Sequence, residues 1–362
     1  MKICIIGMNL TSLILAKAMI NNGFTVDVIA STQKKRNLST RTIGVSKSNI
    51  DFINNHIINI KPKQFHNIKK IRILSEKKRE IINFYNKGEN LFSLIEVDKF
   101  FKIIFESLKF NKLFKLKKFN NQNFKINTLK DDYNLIINCE KNNFISKKYF
   151  SKKIQKSYNS TAYTSLLYHK TIKNNEAKQY FTNLGPLAFL PISPKITSVV
   201  LSAYKNKKLN QDKFKNFVNN FKDNLNVVKF SELQLTELNF SIPRNYYQDN
   251  ILLFGDGLHQ IHPLAGQGFN MTLRDLKIFL NIIKNKIENG LEVNAFCLKE
   301  FEKLTKSKNF IFSEGINIIQ DIFRLKNIFG ENKVNNIIEK FGKNKILKSF
   351  FIKTADEGIF VF

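Results

Sequence analysis

Tryptophan is absent from this chain, and cysteine occurs only as Cys4, Cys139 and Cys297. The three cysteines lie far apart and form no CxxC pair. That argues against a disulfide framework or a structural zinc site and fits a reducing compartment. No uninterrupted apolar run is long enough to cross a bilayer, and "MKICIIGMNL" turns polar too soon to be a signal peptide. Acidic side chains are also scarce: 29 Asp+Glu against 59 Lys+Arg leave a net charge of +30. Such an excess ordinarily suggests nucleic acid or an anionic membrane. Here the lysines are scattered over 61–157, 205–223 and 299–348, and Lys, Asn, Ile and Phe dominate throughout. Drift towards AT-rich codons produces that pattern. No nucleic-acid partner is expected; weak attraction to anionic lipid is. Internal repeats and linker-like segments are lacking too.

What is present is a 362-residue chain, 43% hydrophobic, long enough for two domains and a sizeable core. "KICII" reads as a buried strand, Gly7 as a turn, "LTSLILAKAMINNG" as a helix closed by Gly23, and "FTVDVIA" as a second strand. This is the start of a Rossmann-like βαβ unit. "IRILSE" and "IINFYN" read as short strands, "LFSLIEVDKFFKIIFESLKF" as a helix entered at Glu96 to Asp98, and "YNLIINCE" as a strand of the first sheet. Residues 157–204 alternate like antiparallel strands, a polar helix covers 211–225, "NILLFGD" returns to a buried strand, and helices follow from 270.

The expected fold class is α/β: a Rossmann-like dinucleotide-binding domain with an inserted antiparallel-sheet domain and C-terminal helices. The boundaries drawn are 1–75, 91–155 and 245–290 for the first domain, 76–90 and 156–244 for the insert, and 291–362 for the C-terminal helical region.

The stretch "GDGLHQIHPLAGQGFNMTLRD", residues 255–275, carries the chemistry. Asp256 follows a buried strand at its carboxyl end, where open α/β sheets bind ligands, and can accept hydrogen bonds from sugar-like hydroxyls. Gly266 and Gly268 allow backbone to approach a flat ligand. The helix starting near Asn270 turns its positive dipole end to the site, which suits the pyrimidine end of a flavin. His262, beside Pro263, either touches flavin or substrate or is a structural loop histidine. His259 reads as a packing or hydrogen-bonding residue, Cys139 as buried and inert, and the Phe-rich insert as mostly core.

This stretch resembles the second flavin motif of the class A FAD-dependent aromatic hydroxylases, and within them the ubiquinone-biosynthesis hydroxylases of the UbiH/UbiF type. That pattern, G-D-A-A-H-x-x-H-P-x-A-G-Q-G-x-N-x-G-x-x-D, is matched by Gly255, Asp256, His259, His262, Pro263, Ala265, Gly266, Gln267, Gly268, Asn270 and Asp275. "STRTIGVSKSNIDFI" resembles the family's R-x-x-A-L-S-x-x-S stretch with Arg41 and Ser46 in register, "GPLAFLP" (185–191) its substrate-domain strands, and "KTADEGIF" its C-terminal ending. The likeness covers nearly the whole chain.

The resemblance implies the p-hydroxybenzoate-hydroxylase-like fold, FAD as cofactor, NAD(P)H as electron donor and O2 as co-substrate. The implied reaction is hydroxylation of a polyprenylated ubiquinone precursor through a flavin C4a-hydroperoxide. It also implies peripheral contact with the inner membrane from the cytoplasmic side, and association with a ubiquinone-biosynthesis complex. Carried over position by position, Gly7, Asn9, Ser12, Arg41, Gly255, Asp256, Pro263, Gly266, Gly268, Phe269 and Asn270 are expected to bind the cofactor. His262, Pro263, Gly266 and Gln267 are expected at the reacting ring.

Within the motif at 255–275, Gly257 and Leu258 replace the two alanines and Thr272 a glycine; the larger departures sit at the adenosine end. The first fingerprint, G-x-G-x-x-G in the family, is Gly7-Met8-Asn9-Leu10-Thr11-Ser12 here. Ala30 and Ser31 stand where the ribose-binding acid belongs. The family's "GADG" aligns with Asn138-Cys139-Glu140-Lys141, losing both glycines. Asn9 can tolerate a left-handed turn, and Ser12 is small enough for close helix packing. FAD affinity is expected to fall, and an alternative role follows: a non-catalytic relative serving as a binding or assembly subunit of a quinone-biosynthesis complex.

Overall fold

A computed structural model describes residues 1–31, 41–85, 90–119, 126–204, 208–223, 225–262, 266–329, 353–354 and 356–357. Its centre is a six-stranded sheet in the order Tyr247–Gln248, Ile251–Leu253, Leu135–Asn138, Lys2–Ile6, Thr25–Ser31, Phe114–Phe119. All pairs are parallel except the outermost Tyr247–Gln248. Ile3, Ile5, Leu135, Ile136, Ile137, Leu252 and Leu253 are wholly buried because helices or strands cover both faces, so these strands read as unbroken apolar runs. The first helix, Leu10–Asn21, buries almost its whole circumference between the sheet and the helix Val97–Leu108. It therefore has no polar face for sequence periodicity to reveal.

The inserted sheet has eight strands and is antiparallel except where Lys70–Ser75 pairs with Glu176–Thr182. The chain thus enters the insert at Lys70. Its longest strand, Lys153–His169, runs from the first domain into the insert and is flanked by Ile196–Tyr204 and Gln234–Pro243. A three-stranded sheet of Thr42–Ser46, Phe92–Glu96 and His66–Ile68 joins the two domains.

Two sequence expectations are corrected here. The helix is entered where expected, beginning at Val97 with Glu96 as its N-cap, but "LFSLIE" ahead of it is not helical: Phe92–Glu96 is the middle strand of the three-stranded sheet. No Gly or Pro separates strand from helix, so the apolar run hides the change of period. The helix from 211 stops at Asn219, ahead of a turn in which Asp223 takes φ +47°. From 266 onward the described chain is a helix Gln267–Glu288 packed against a 35-residue helix, Ala295–Phe329.

Candidate functional site

The strand Ile251–Leu253 delivers Gly255 and Asp256 to the carboxyl edge of the central sheet, and Asp256 is exposed there. The chain then reaches Gly266, the N-cap of the helix Gln267–Glu288, in left-handed geometry (φ +65°, ψ +24°). With no side chain, Gly266 provides no cap for the first-turn N–H groups, which stay available to an acceptor. A methyl group on Gly268 would find only Ile261 Cγ1, 3.7 Å away, so its missing side chain leaves room rather than avoiding a packed neighbour. Gln267 Oε1 is buried and has no hydrogen-bond partner. Phe269 packs edge-on against Phe100, with ring centroids 6.1 Å apart.

Asn270 is wholly occupied with structure. Its amide donates to Gly44 O (2.9 Å), and its Oδ1 accepts from Ser46 N (2.9 Å) and Asn49 Nδ2 (3.0 Å). It clamps the helix to the strand Thr42–Ser46 and so holds Gly44 against Gly266, where a Cβ would lie 3.5 Å from Gly44 N. Asp356, from the C-terminal stretch, docks beside this clamp by accepting from Ser48 N (3.0 Å) and Ser48 Oγ (2.9 Å). Arg41 is exposed at the start of the same strand, and its carbonyl accepts from Val97 N.

The turn after the first strand, at Gly7, is built differently. Gly7 takes φ +116°, while Asn9, a residue type that tolerates a left-handed turn, is extended here (φ −128°). The reason is local. Asn9 serves as N-cap of the helix Leu10–Asn21, its Oδ1 accepting from Ser12 N (2.9 Å) and Ser12 Oγ (3.0 Å), and its Nδ2 donating to Cys139 O (3.1 Å). This helix start is closed by its own side chain, while that of Gln267–Glu288 is open.

Glu140 lies over Gly7: a Cβ there would fall 2.8 Å from Glu140 Cγ. The Glu140 backbone is pinned, its N donating to Asn138 Oδ1 and its O accepting from Ser146 Oγ (2.7 Å). Cys139 is fully buried, and burial together with the Asp256 and Glu140 carboxylates pushes its thiol up to about 12, an unreactive group. The residues present therefore fit a flavin ring at the open helix start. Over Gly7, at the other end, they set the Glu140 side chain, and Asn9 closes the helix start.

His262 is 1% exposed, and neither ring nitrogen has a partner. Burial holds its pKa down to about 4. Its ring meets Tyr158 edge-on at 5.1 Å, and its backbone N donates to Tyr158 Oη (3.2 Å). Tyr158 Oη donates in turn to Asn317. His259 plays a structural part, with Nε2 2.9 Å from Asp275 Oδ2 while Asn309 donates to both oxygens of that carboxylate. Pro263 lies outside the described residues. Tyr158, Asn317 and the position of Glu140 over Gly7 were not anticipated from sequence. Tyr158 had one available signal: it sits in a long alternating strand interrupted by "SYNS", where a bulge is at home.

A sequence signature described as "FAD binding domain" matches residues 193–284. Over 101 residues the chain is 32% identical to "Ubiquinone biosynthesis monooxygenase COQ6, mitochondrial" of Dictyostelium discoideum, covering 26% of this chain and 20% of that protein. It is 28% identical over 148 residues to "3-demethoxyubiquinol 3-hydroxylase" of Escherichia coli (strain K12), covering 39% of this chain and 38% of that one. The chain spans less than half the length of the curated relatives it matches. Likeness in structure is far more extensive. The p-nitrophenol 4-monooxygenase PnpA of Pseudomonas putida DLL-E4 superposes with a TM-score of 0.79 over 99% of this chain and 98% of its own, at 10% identity. Klebsiella pneumoniae HpxO, solved with FAD and uric acid, gives 0.74 over 99% and 97%, at 11% identity. The fold is that of the p-hydroxybenzoate-hydroxylase-like class A monooxygenases: a Rossmann-like FAD-binding domain, an inserted antiparallel sheet and C-terminal helices.

Proposed function

We propose that this chain is an FAD-dependent monooxygenase that hydroxylates an apolar phenol, a polyprenylated ubiquinone precursor in the reading that the curated relatives favour. The observation that carries it is the uncapped start of the helix Gln267–Glu288. There Gly266 turns the chain at φ +65° without a capping side chain, Gly268 leaves room, and Gln267 Oε1 lacks a partner. Gly266, Gly268 and Phe269 would border the flavin ring, with helix-dipole N–H groups at its pyrimidine edge. Asp256 would take the ribityl hydroxyls, Gly7 and Ser12 the diphosphate side, and Arg41 an anionic group near the same rim. Pro263 belongs to the same proposal by its place in the motif. The chemistry supplied by bound FAD would be electron acceptance from NAD(P)H and activation of O2, one oxygen going to the substrate ring and the other to water. This chain's own residues would orient the ring and exclude water.

Peripheral contact with anionic lipid is part of the proposal. No described helix is long and apolar enough to cross a membrane. The helix Ala295–Phe329 does expose Leu304, Ile311 and Ile318 at seven-residue spacing on a chain of charge +30, features suited to lying on a lipid surface.

A second reading has its own observation. Asn9 and Glu140 crowd the diphosphate approach, which favours an FAD-deficient subunit of a quinone-biosynthesis assembly. The visible spectrum of the purified protein, before and after adding FAD, decides between the two. A yellow protein with stoichiometric flavin supports the monooxygenase. A colourless protein that added FAD neither binds nor stabilises supports the subunit.

A further inference from the structure

The His262 ring is the one imidazole among the described residues that is both fully enclosed and unpaired at both nitrogens. A neutral imidazole carries one donor and one acceptor, and buried polar groups are almost always paired. The groups that hold it in place are themselves paired. The loop N–H is tied to Tyr158 Oη, the ring rests edge-on against Tyr158, and Tyr158 is tied to Asn317 of the C-terminal helix.

Tyr158 reaches that place through a defect in its strand. The register of Lys153–His169 against Gln234–Pro243 slips between Ser157 and Ser160, and Asn159 takes φ +48°. Bulges and left-handed non-glycine residues cluster where a side chain must be re-aimed for function. Three separate elements therefore converge to fix a ring whose own polar atoms are left unsatisfied. Five residues along the chain, Gln267 Oε1 is buried and unpaired as well.

We propose that His262 is the hydrogen-bond partner of the substrate's ring hydroxyl, and that Tyr158 is the residue that positions it. This rests on the phenol-hydroxylase reading above. A pKa of about 4 keeps the imidazole neutral across the physiological range, so its acceptor nitrogen is always available. The same value makes it far too weak a base to remove the proton of a phenol, whose ordinary pKa is about 10. The hydroxyl therefore keeps its proton and donates to the imidazole, which orients the substrate and makes its oxygen more electron-releasing towards the aromatic ring.

The test uses para-hexylphenol and its methyl ether, which cannot donate. Calorimetry on the full chain, with and without FAD, gives the affinities. Wild type is expected to bind the phenol about tenfold more tightly than the ether, the effect of one buried hydrogen bond. His262→Ala should bind both alike with FAD affinity unchanged. His262→Gln, which keeps a donor and an acceptor, should recover part of the preference. Tyr158→Phe should lower the preference by less than His262→Ala does. A wild type that binds both probes alike, or neither, overturns the proposal, the orphaned nitrogens then being met by water only. So does a His262→Ala protein that keeps the preference or weakens for both probes and FAD together. A phenol preference in a protein that binds no FAD would leave the His262 assignment standing and remove the flavin reading.

Discussion

Asn270 spans the gap between the helix Gln267–Glu288 and the strand Thr42–Ser46 by donating to Gly44 O and accepting from Ser46 N, each at 2.9 Å. The pairing copies the hydrogen bonding of a neighbouring strand, and it sets the distance between the open helix start and Gly44. Asn270→Ala should cost roughly 2–4 kcal/mol, because buried backbone groups lose their partners. Urea denaturation measures it; a loss under half a kilocalorie would show that water replaces the amide without penalty.

Gly266 and Gly268 should separate by experiment. Gly268→Val adds bulk where a Cβ meets only Ile261 Cγ1, and should remove FAD binding while the melting temperature stays within a few degrees of wild type. Gly266→Val forces a branched side chain into φ +65° and should destabilise by about 1–3 kcal/mol as well. The double variant should show no hydroxylation. Flavin fluorescence titration of Gly268→Val that matched wild type would remove the ring from this helix start.

Glu140 should oppose the cofactor's diphosphate. Replacing it with Ala clears the carboxylate from Gly7 and should tighten FAD about tenfold at low salt, a gain that shrinks as salt screens the charge. Fluorescence quenching of FAD reads this directly. Weaker binding by Glu140→Ala would mean that the carboxylate holds the cofactor instead.

Asp27 gives the fold a defined acid sensitivity. It is buried in the strand Thr25–Ser31, 2.8 Å from Lys117 Nζ and 2.6 Å from Tyr133 Oη. Burial alone would raise its pKa, but the Lys117 ammonium and the Tyr133 hydroxyl hold it below its ordinary value. A carboxyl depressed in the folded state contributes stability above its unfolded pKa of about 3.9, and that contribution is lost as pH falls through the folded value. Asp27→Asn should therefore be less stable at neutral pH and flatter below pH of about 4. Equal slopes in acid denaturation would show that Asp27 is not the group responsible.

The outer face of the C-terminal helix should carry lipid binding. Replacing Leu304, Ile311 and Ile318 together with Asp should abolish sedimentation with phosphatidylserine vesicles and leave the circular dichroism spectrum unchanged, since all three are exposed. Retained sedimentation would place any lipid contact elsewhere.

Much of this architecture could be read from the residues alone, because the signals are local. Buried parallel strands such as Lys2–Ile6 and Leu135–Asn138 are apolar throughout, the inserted strands alternate, and the Gly-rich stretch announces a helix, although that helix begins at Gln267 with Gly268 inside it rather than near Asn270. The order of these pieces also yields the fold class, since strands at 2, 25, 135 and 251 must return to one sheet around an insert. Pairings between distant residues cannot be read in this way. Asn9 is extended because Ser12 N and Cys139 O satisfy it, and Cys139 arrives from 130 residues away. Phe92–Glu96 is a strand because Thr42–Ser46 and His66–Ile68 pair with it on either side. His262 is enclosed and unpaired because a bulge in a strand over a hundred residues earlier aims Tyr158 at it, and a helix fifty residues later supplies Asn317. Local propensity and periodicity act over a few residues; enclosure, pKa and hydrogen-bond satisfaction depend on what the completed fold brings alongside.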